Sequence, residues 1–252
     1  MDSKPGEIRE LNSLADLKIK VFADGADLRE MYELYRNPLI SGFTTNPTLM
    51  RKSGVCDYQA FAKEVLAAIP DRPISFEVLS DDFSEMEQEA LVIAGWGENV
   101  YVKIPITSTL GESSAPLIRR LSSRGVKVNV TALLTLDQVR EACYAMRDCR
   151  AGYISVFAGR IADTGRDPVP IMSKAREILS KNPNLELIWA SPRELLNLFQ
   201  ADAIGCQIIT MTEGILSKLS LIGKDLDEYS LETVKMFRKD ALAAMLSIHA
   251  TV

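Results

Sequence analysis

The 252-residue sequence predicts a single (β/α)8 barrel, in the α/β class. Three observations predict it. Short runs rich in Val, Ile and Phe recur through the chain, segments with helical spacing separate them, and the length is that of one barrel.

The strand-like runs are Lys18–Ala23, Ile40–Thr44, Pro73–Leu79, Asn99–Ile106, Val126–Thr131, Ala151–Phe157, Leu185–Ala190 and Cys206–Thr210, eight in all. Between them, residues 57–69 place Phe61, Val65, Leu66 and Ile69 on one helical face, with Asp57 in position to cap. Phe83–Ala94, Ser114–Ser123, Leu136–Arg147, Val169–Ser180 and Pro192–Gln200 follow the same period, and Thr135 with Gln138 has the spacing of a capping box. Strands alternating with helices along the whole chain require βαβ units and a parallel sheet, and eight of them close into a barrel more readily than into an open sheet. The chain therefore reads as one domain over residues 1–252. Residues 1–17 would form an arm or plug, and 231–248 an additional amphipathic helix, packed on a neighbouring subunit or beneath its own barrel.

Composition narrows the function. A net charge of −5 and 25% charged residues provide no basic face for nucleic acid or an anionic membrane. Cys56, Cys143, Cys149 and Cys206 are scattered without metal-ligand spacing, as expected of reduced thiols in a cytoplasmic protein. Neither a signal-peptide stretch nor an apolar run near the ~20 residues of a membrane span is found. His249 is the only histidine, so His-based triads and multi-His metal sites are excluded, and chemistry falls to Lys, Asp, Glu, Ser, Thr or Asn without metal or organic cofactor.

Barrel chemistry collects where strands end at their C-terminal side. Asp24 ends the first run and Thr44-Thr45-Asn46 the second; Glu77 lies on the third and Lys103 on the fourth. Asn129 and Thr131 lie on the fifth, Ser155 on the sixth, and Ser191 and Arg193 follow the seventh. Lys103 is the most informative, because its neighbours Val-Tyr-Val and Ile-Pro-Ile belong in a buried strand. Burying an ammonium is costly, so the lysine should be deprotonated, paired or catalytic unless it snorkels to solvent. An unprotonated amine attacks carbonyl carbon, and aldol cleavage through an imine needs in addition only groups that move protons, for which Asp24 and Glu77 qualify. Arg160, in a loop after the sixth run, and Ser191-Pro-Arg193, opening the helix after the seventh, offer guanidinium groups and helix-terminal amides to a phosphate; the alternative is a surface arginine paired with Asp163 or Glu194.

Read in order, these segments resemble the transaldolase family: Phe22-Ala-Asp24, Thr-Thr-Asn-Pro (44–47), Lys103 in Val-Lys-Ile-Pro, Ser-x-Phe-x-x-Arg (155–160) and Ala-Ser-x-Arg (190–193). The resemblance covers roughly residues 18–248. It implies that Lys103 forms a Schiff base, Asp24 transfers the proton, and Glu77 with Thr131 holds the catalytic water. It further implies that Thr44, Asn46, Asn129, Ser155 and Phe157 bind the dihydroxyacetone unit, while Arg160, Ser191 and Arg193 grip the phosphate. Fructose-6-phosphate aldolases, which are related, carry Gln where this chain has Glu77 and Tyr where it has Phe157, so both positions side with transaldolase. The expected activity is transfer of dihydroxyacetone from a ketose phosphate to an aldose phosphate in the cytoplasm, by a homo-oligomer, with a pentose-phosphate role as the default and a specialised sugar pathway as the alternative. A free aldolase and a non-catalytic sugar-phosphate-binding barrel remain the competing functions.

Overall fold

A computed structural model describes Leu14 and residues 17–245. Eight strands close into one parallel barrel in sequence order, β1 pairing with both β2 and β8. The strands are β1 (Lys20–Asp24), β2 (Ile40–Thr44), β3 (Ile74–Glu77), β4 (Val100–Pro105), β5 (Val128–Leu133), β6 (Gly152–Val156), β7 (Leu185–Trp189) and β8 (Ile208–Met211). Each falls on its expected run, with ends displaced by two residues at most, because β-branched residues pack well on a surface buried on both faces.

The helices carry the outer layer. α1 (Leu28–Tyr35), α2 (Pro47–Lys52), α3 (Tyr58–Ala68), α4 (Phe83–Ala94), α5 (Ala115–Ser123), α6 (Leu136–Ala145) and α7 (Ala158–Asp163) precede α8 (Val169–Leu179), α9 (Leu196–Ala203), α10 (Glu213–Leu216) and α11 (Leu226–Ala243), with a 3-10 turn over Ser217–Leu221. Caps set several starts. Asp57 accepts from the Ala60 amide at 2.9 Å, and Thr135 and Gln138 form the reciprocal capping box. α1, α2, α7 and α10 were not expected from periodicity, being four to eight residues long and too short to establish a stripe.

Two apolar clusters build the core. The larger lies between the strands and the helices and includes Val102, Ile104, Val130, Ile154 and Trp189. The smaller fills the barrel itself with Phe22, Tyr153, Ile188, Ala190 and Ile208. Phe22 and Tyr153 meet edge to face at 5.9 Å, and Tyr153 stacks on Tyr101 at 4.0 Å. The Phe22 ring lies so close to β2 that a Cβ on Gly42 would stand 2.6 Å from it, so this strand position requires glycine. With the barrel plugged below, the space at the C-terminal strand ends is left for a site.

Three expectations need correction. Arg160 is not in a loop but inside α7, and α9 starts at Leu196, so Ser191 and Arg193 precede the helix instead of opening it. The cause is Asn197, whose Oδ1 accepts from the amides of Arg193 at 2.8 Å and Glu194 at 3.2 Å and holds an irregular turn. The terminal helix begins five residues earlier than expected, at Leu226, because Asp225 caps it through the Asp227 and Glu228 amides, both at 2.9 Å. No residue of α11 is buried, so it does not pack beneath its own barrel, while Leu231, Val234 and Phe237 are exposed. Residues 246–248 of that expected helix, His249, and the arm over 1–17 apart from Leu14 and Leu17 lie outside the described residues.

Candidate active site

Strand register brings the polar ends together. Glu77 pairs with Lys103, Lys103 with Asn129, and Asp24 with Thr44 across neighbouring strands. Above them opens a cavity of about 480 Å³ at the C-terminal end of the barrel, lined by Asp24, Thr44, Asn46, Glu77, Lys103, Thr131, Ser155, Phe157, Arg160, Ser191 and Arg193. Eleven of the twelve expected site residues thus line one space. The twelfth, Asn129, is fully buried behind it: its Nδ2 donates to Ser75 Oγ at 3.0 Å and its Oδ1 accepts from Ser155 Oγ at 2.7 Å.

Lys103 is 6% exposed, which rules out snorkelling. Its Nζ donates to the Thr45 carbonyl at 2.7 Å and lies 2.9 Å from Glu77 Oε2. An ammonium has three hydrogens, so these two partners orient it and leave one direction toward the cavity. Because removing one member of a buried pair strands the other charge, at a cost of about 3–5 kcal/mol, the amine and the carboxylate are mutually dependent.

Asp24 faces the same cavity. Its Oδ1 accepts from Thr44 Oγ1 at 2.7 Å, and Thr44 Oγ1 lies 2.5 Å from Thr210 Oγ1 on β8. Burial pushes the Asp24 carboxyl above its ordinary value; Lys103 and the hydrogen bonds of Thr44 and Asn46 oppose that shift, and the charge of Glu77 adds to it. Asn46 is tied by its Oδ1 to the Leu49 amide at 3.0 Å as the N-cap of α2.

Thr131 Oγ1 is buried and has no hydrogen-bond partner among the described residues. An unpaired buried hydroxyl costs about 1–3 kcal/mol, and one lining a polar cavity finds its partner in water or ligand. The next residue, Ala132, is in the left-handed region at φ 64°, and the β5–β6 register shifts between Val130 and Leu133. This bulge turns the strand just where Thr131 meets the cavity.

The opposite wall carries the arginines. The Arg160 guanidinium lies 5.5 Å from the centre of the Phe157 ring. Arg193 donates from Nη1 to Ser191 Oγ at 3.0 Å and pairs with Asp163, the alternative raised for these arginines. Ser191 has φ 58°, and a Cβ on Gly159 would stand 1.6 Å from the Ser191 carbonyl oxygen, so α7 and the β7 turn fit together only through a glycine.

Sequence reasoning passed over Thr210 and Ser75, and it named Thr45 only as part of the polar run that ends the second strand. Thr210 stands at the end of the last expected strand and makes all eight strands contribute polar groups; that signal was available. Thr45 acts through its backbone oxygen and Ser75 through contacts with Asn129 and Thr45, which no residue pattern encodes.

The chain matches the family model of transaldolase/fructose-6-phosphate aldolase over residues 21–248. The chain belongs to that family. A probable transaldolase of Dehalococcoides mccartyi is 31% identical over 202 residues, 80% of this chain and 90% of the relative. Probable transaldolase 2 of Listeria monocytogenes is 34% identical, covering 80% and 88%, and a probable transaldolase of Thermoanaerobacter is 35% identical, covering 80% and 89%. Among solved structures, a mandelate oxidase mutant aligns at TM-score 0.56 with 14% identity, over 94% of this chain and 82% of the other. A putative phosphonomutase of Burkholderia cenocepacia aligns at 0.54 with 12% identity, over 88% and 94%. These likenesses support the barrel alone. Among the described residues no cluster of three or more His, Cys, Asp or Glu has metal-binding geometry, and no helix is long and apolar enough to cross a membrane.

Proposed function

We propose that this member of the transaldolase/fructose-6-phosphate aldolase family is a transaldolase that carries dihydroxyacetone from a ketose phosphate to an aldose phosphate through a Schiff base on Lys103. The observation that carries the reading is the buried Lys103 amine, 2.9 Å from Glu77 and in one cavity with Asp24. The ammonium first loses a proton, for which Glu77 is the nearest carboxylate. The neutral amine attacks the ketose carbonyl, and loss of water forms an iminium. Asp24 then takes the proton from the hydroxyl β to the iminium, the carbon–carbon bond breaks toward the iminium, and an aldose phosphate leaves. The three-carbon enamine adds to a second aldose phosphate, Asp24 returning the proton. Water held by Glu77 and Thr131 hydrolyses the new imine and frees the lysine.

Thr44, Asn46, Ser155 and Phe157 border the dihydroxyacetone unit in this reading, with Asn129 holding Ser155 from behind. Arg160, Ser191 and Arg193 take the phosphate at the opposite wall. No metal or organic cofactor enters any step. We place the enzyme in the cytoplasm, with a pentose-phosphate role as the default. An 18-residue α11 without a buried residue supports a homo-oligomer, which native mass measurement checks.

Borohydride reduction in the presence of fructose 6-phosphate tests the proposal. One adduct on Lys103, and loss of both adduct and activity in Lys103→Met with the fold retained, is the expected result; an adduct on another lysine refutes it.

A further inference from the structure

Tyr58 opens α3, outside the ring of strands, yet its hydroxyl reaches the end of β3. There, Ser75 O accepts from the Thr45 amide on the β2 side, and the Val78 amide donates to Lys103 O on the β4 side. Alternate residues of a parallel strand address alternate neighbours, so Glu77 turns its own N–H and C=O toward β2. The chain beyond β2 has by then turned into α2 at Pro47 and supplies no partner. Tyr58 supplies both: its hydroxyl accepts from the Glu77 amide at 2.8 Å and donates to the Glu77 carbonyl at 3.0 Å. The Thr45 hydroxyl instead donates to the Ser75 carbonyl at 2.9 Å.

Thr45 and Glu77 are the two residues whose oxygens hold the Lys103 amine, one by its carbonyl and one by its carboxylate. The Tyr58 hydroxyl fixes the backbone of one of them, Glu77, through both its amide and its carbonyl. We propose that Tyr58 is a positioning residue for the imine chemistry: it sets the direction of Lys103 Nζ by locking Glu77, whose carboxylate holds the amine. This rests on Lys103 being the nucleophile. The ring is anchored independently, edge to face with Trp96 at 5.4 Å and Phe76 at 6.2 Å, so the hydroxyl can be removed without removing the packing.

Tyr58→Phe is the test, assayed well below its thermal midpoint. Misplacing a reacting group by a fraction of its contact distance slows chemistry by about ten- to a hundredfold. The expected result is a fall of that size in both kcat and the rate of borohydride-trapped adduct formation on Lys103, with little change in KM or in inhibition by inorganic phosphate. A lower thermal midpoint with kcat and trapping rate unchanged marks a purely structural hydroxyl and overturns the proposal. If Tyr58→Phe does not fold, Tyr58→Met removes the hydroxyl while filling the apolar space with a flexible side chain, and unchanged kcat and trapping rate there overturn it equally. The parent enzyme separates the two readings. An adduct on Lys103 in the parent with unaltered kinetics in Tyr58→Phe refutes Tyr58 alone, whereas no adduct in the parent refutes the Schiff base and this role with it.

Discussion

Arg193 meets Asp163 edge to edge at the mouth of the barrel, its Nε donating to one carboxylate oxygen at 2.8 Å and its Nη2 to the other at 2.5 Å. Both side chains are about half exposed, and such a pair contributes about 0–1 kcal/mol to stability. Its consequence is directional: with the Nε–Nη2 edge on Asp163 and Nη1 donating to Ser191 Oγ at 3.0 Å, an anion meets the guanidinium on the Ser191 side. Losing a charge-assisted contact to phosphate is worth about 1.5–3 kcal/mol, or ten- to a hundredfold. Arg193→Ala and Arg160→Ala should raise KM for phosphorylated substrates by that factor and leave unphosphorylated analogues nearly unaffected. Equal losses on both would mean that these arginines serve only the fold.

Asp24 should set the acid limb of the pH profile. Burial holds its carboxyl above the ordinary range, so it ionises later as pH rises. The step that needs its carboxylate is lost as pH falls through that raised value, and the limb of kcat/KM should lie above the ~3.9 of an ordinary aspartate. The Thr44 hydrogen bond favours the ionised form, so Thr44→Val should move the limb to higher pH. An unmoved limb would assign it to another group.

Glu77 should decide between transfer and release. A glutamine keeps the shape of the side chain and its contact with Lys103, but cannot act as a base toward water. Glu77→Gln should lower transfer activity and raise the share of product released as free dihydroxyacetone. Phe157→Tyr, which adds a hydroxyl to the cavity wall, should push the same way. The partition ratio at saturating acceptor is the measurement; constancy in both variants removes the mechanistic basis for transferase over aldolase.

Gly159 should tolerate no side chain. An alanine Cβ would stand 1.6 Å from the Ser191 carbonyl oxygen, and relieving the clash requires moving backbone. Overpacking of this kind costs about 1–3 kcal/mol. Gly159→Ala should lower the denaturation midpoint accordingly and raise KM for phosphorylated substrates, because the displaced turn carries Ser191 and Arg193. A variant with a normal midpoint and normal KM would show that the turn has room to shift.

The sequence by itself determined the barrel and most of the residues that line its C-terminal cavity. Strand runs such as 99–106 are largely buried and must be mostly apolar, so Lys103 stood out within them as a buried cation. Local rules were equally legible where one residue acts on a near neighbour, as in the Thr135–Gln138 box and the Asp57 cap. Only the tertiary structure decided what depends on groups distant in the chain. The Asp163–Arg193 pair spans thirty residues, the Tyr58 brace on Glu77 nineteen, and the Lys103 bond to the Thr45 carbonyl fifty-eight. Each joins side chain to carbonyl or carboxylate across separate elements, and the strand register that creates such contacts leaves no periodicity in sequence. The turn at Ser191–Glu194 was misread as opening a helix for the same reason: helical propensity is a local preference, and two hydrogen bonds accepted by Asn197 Oδ1 outweigh it.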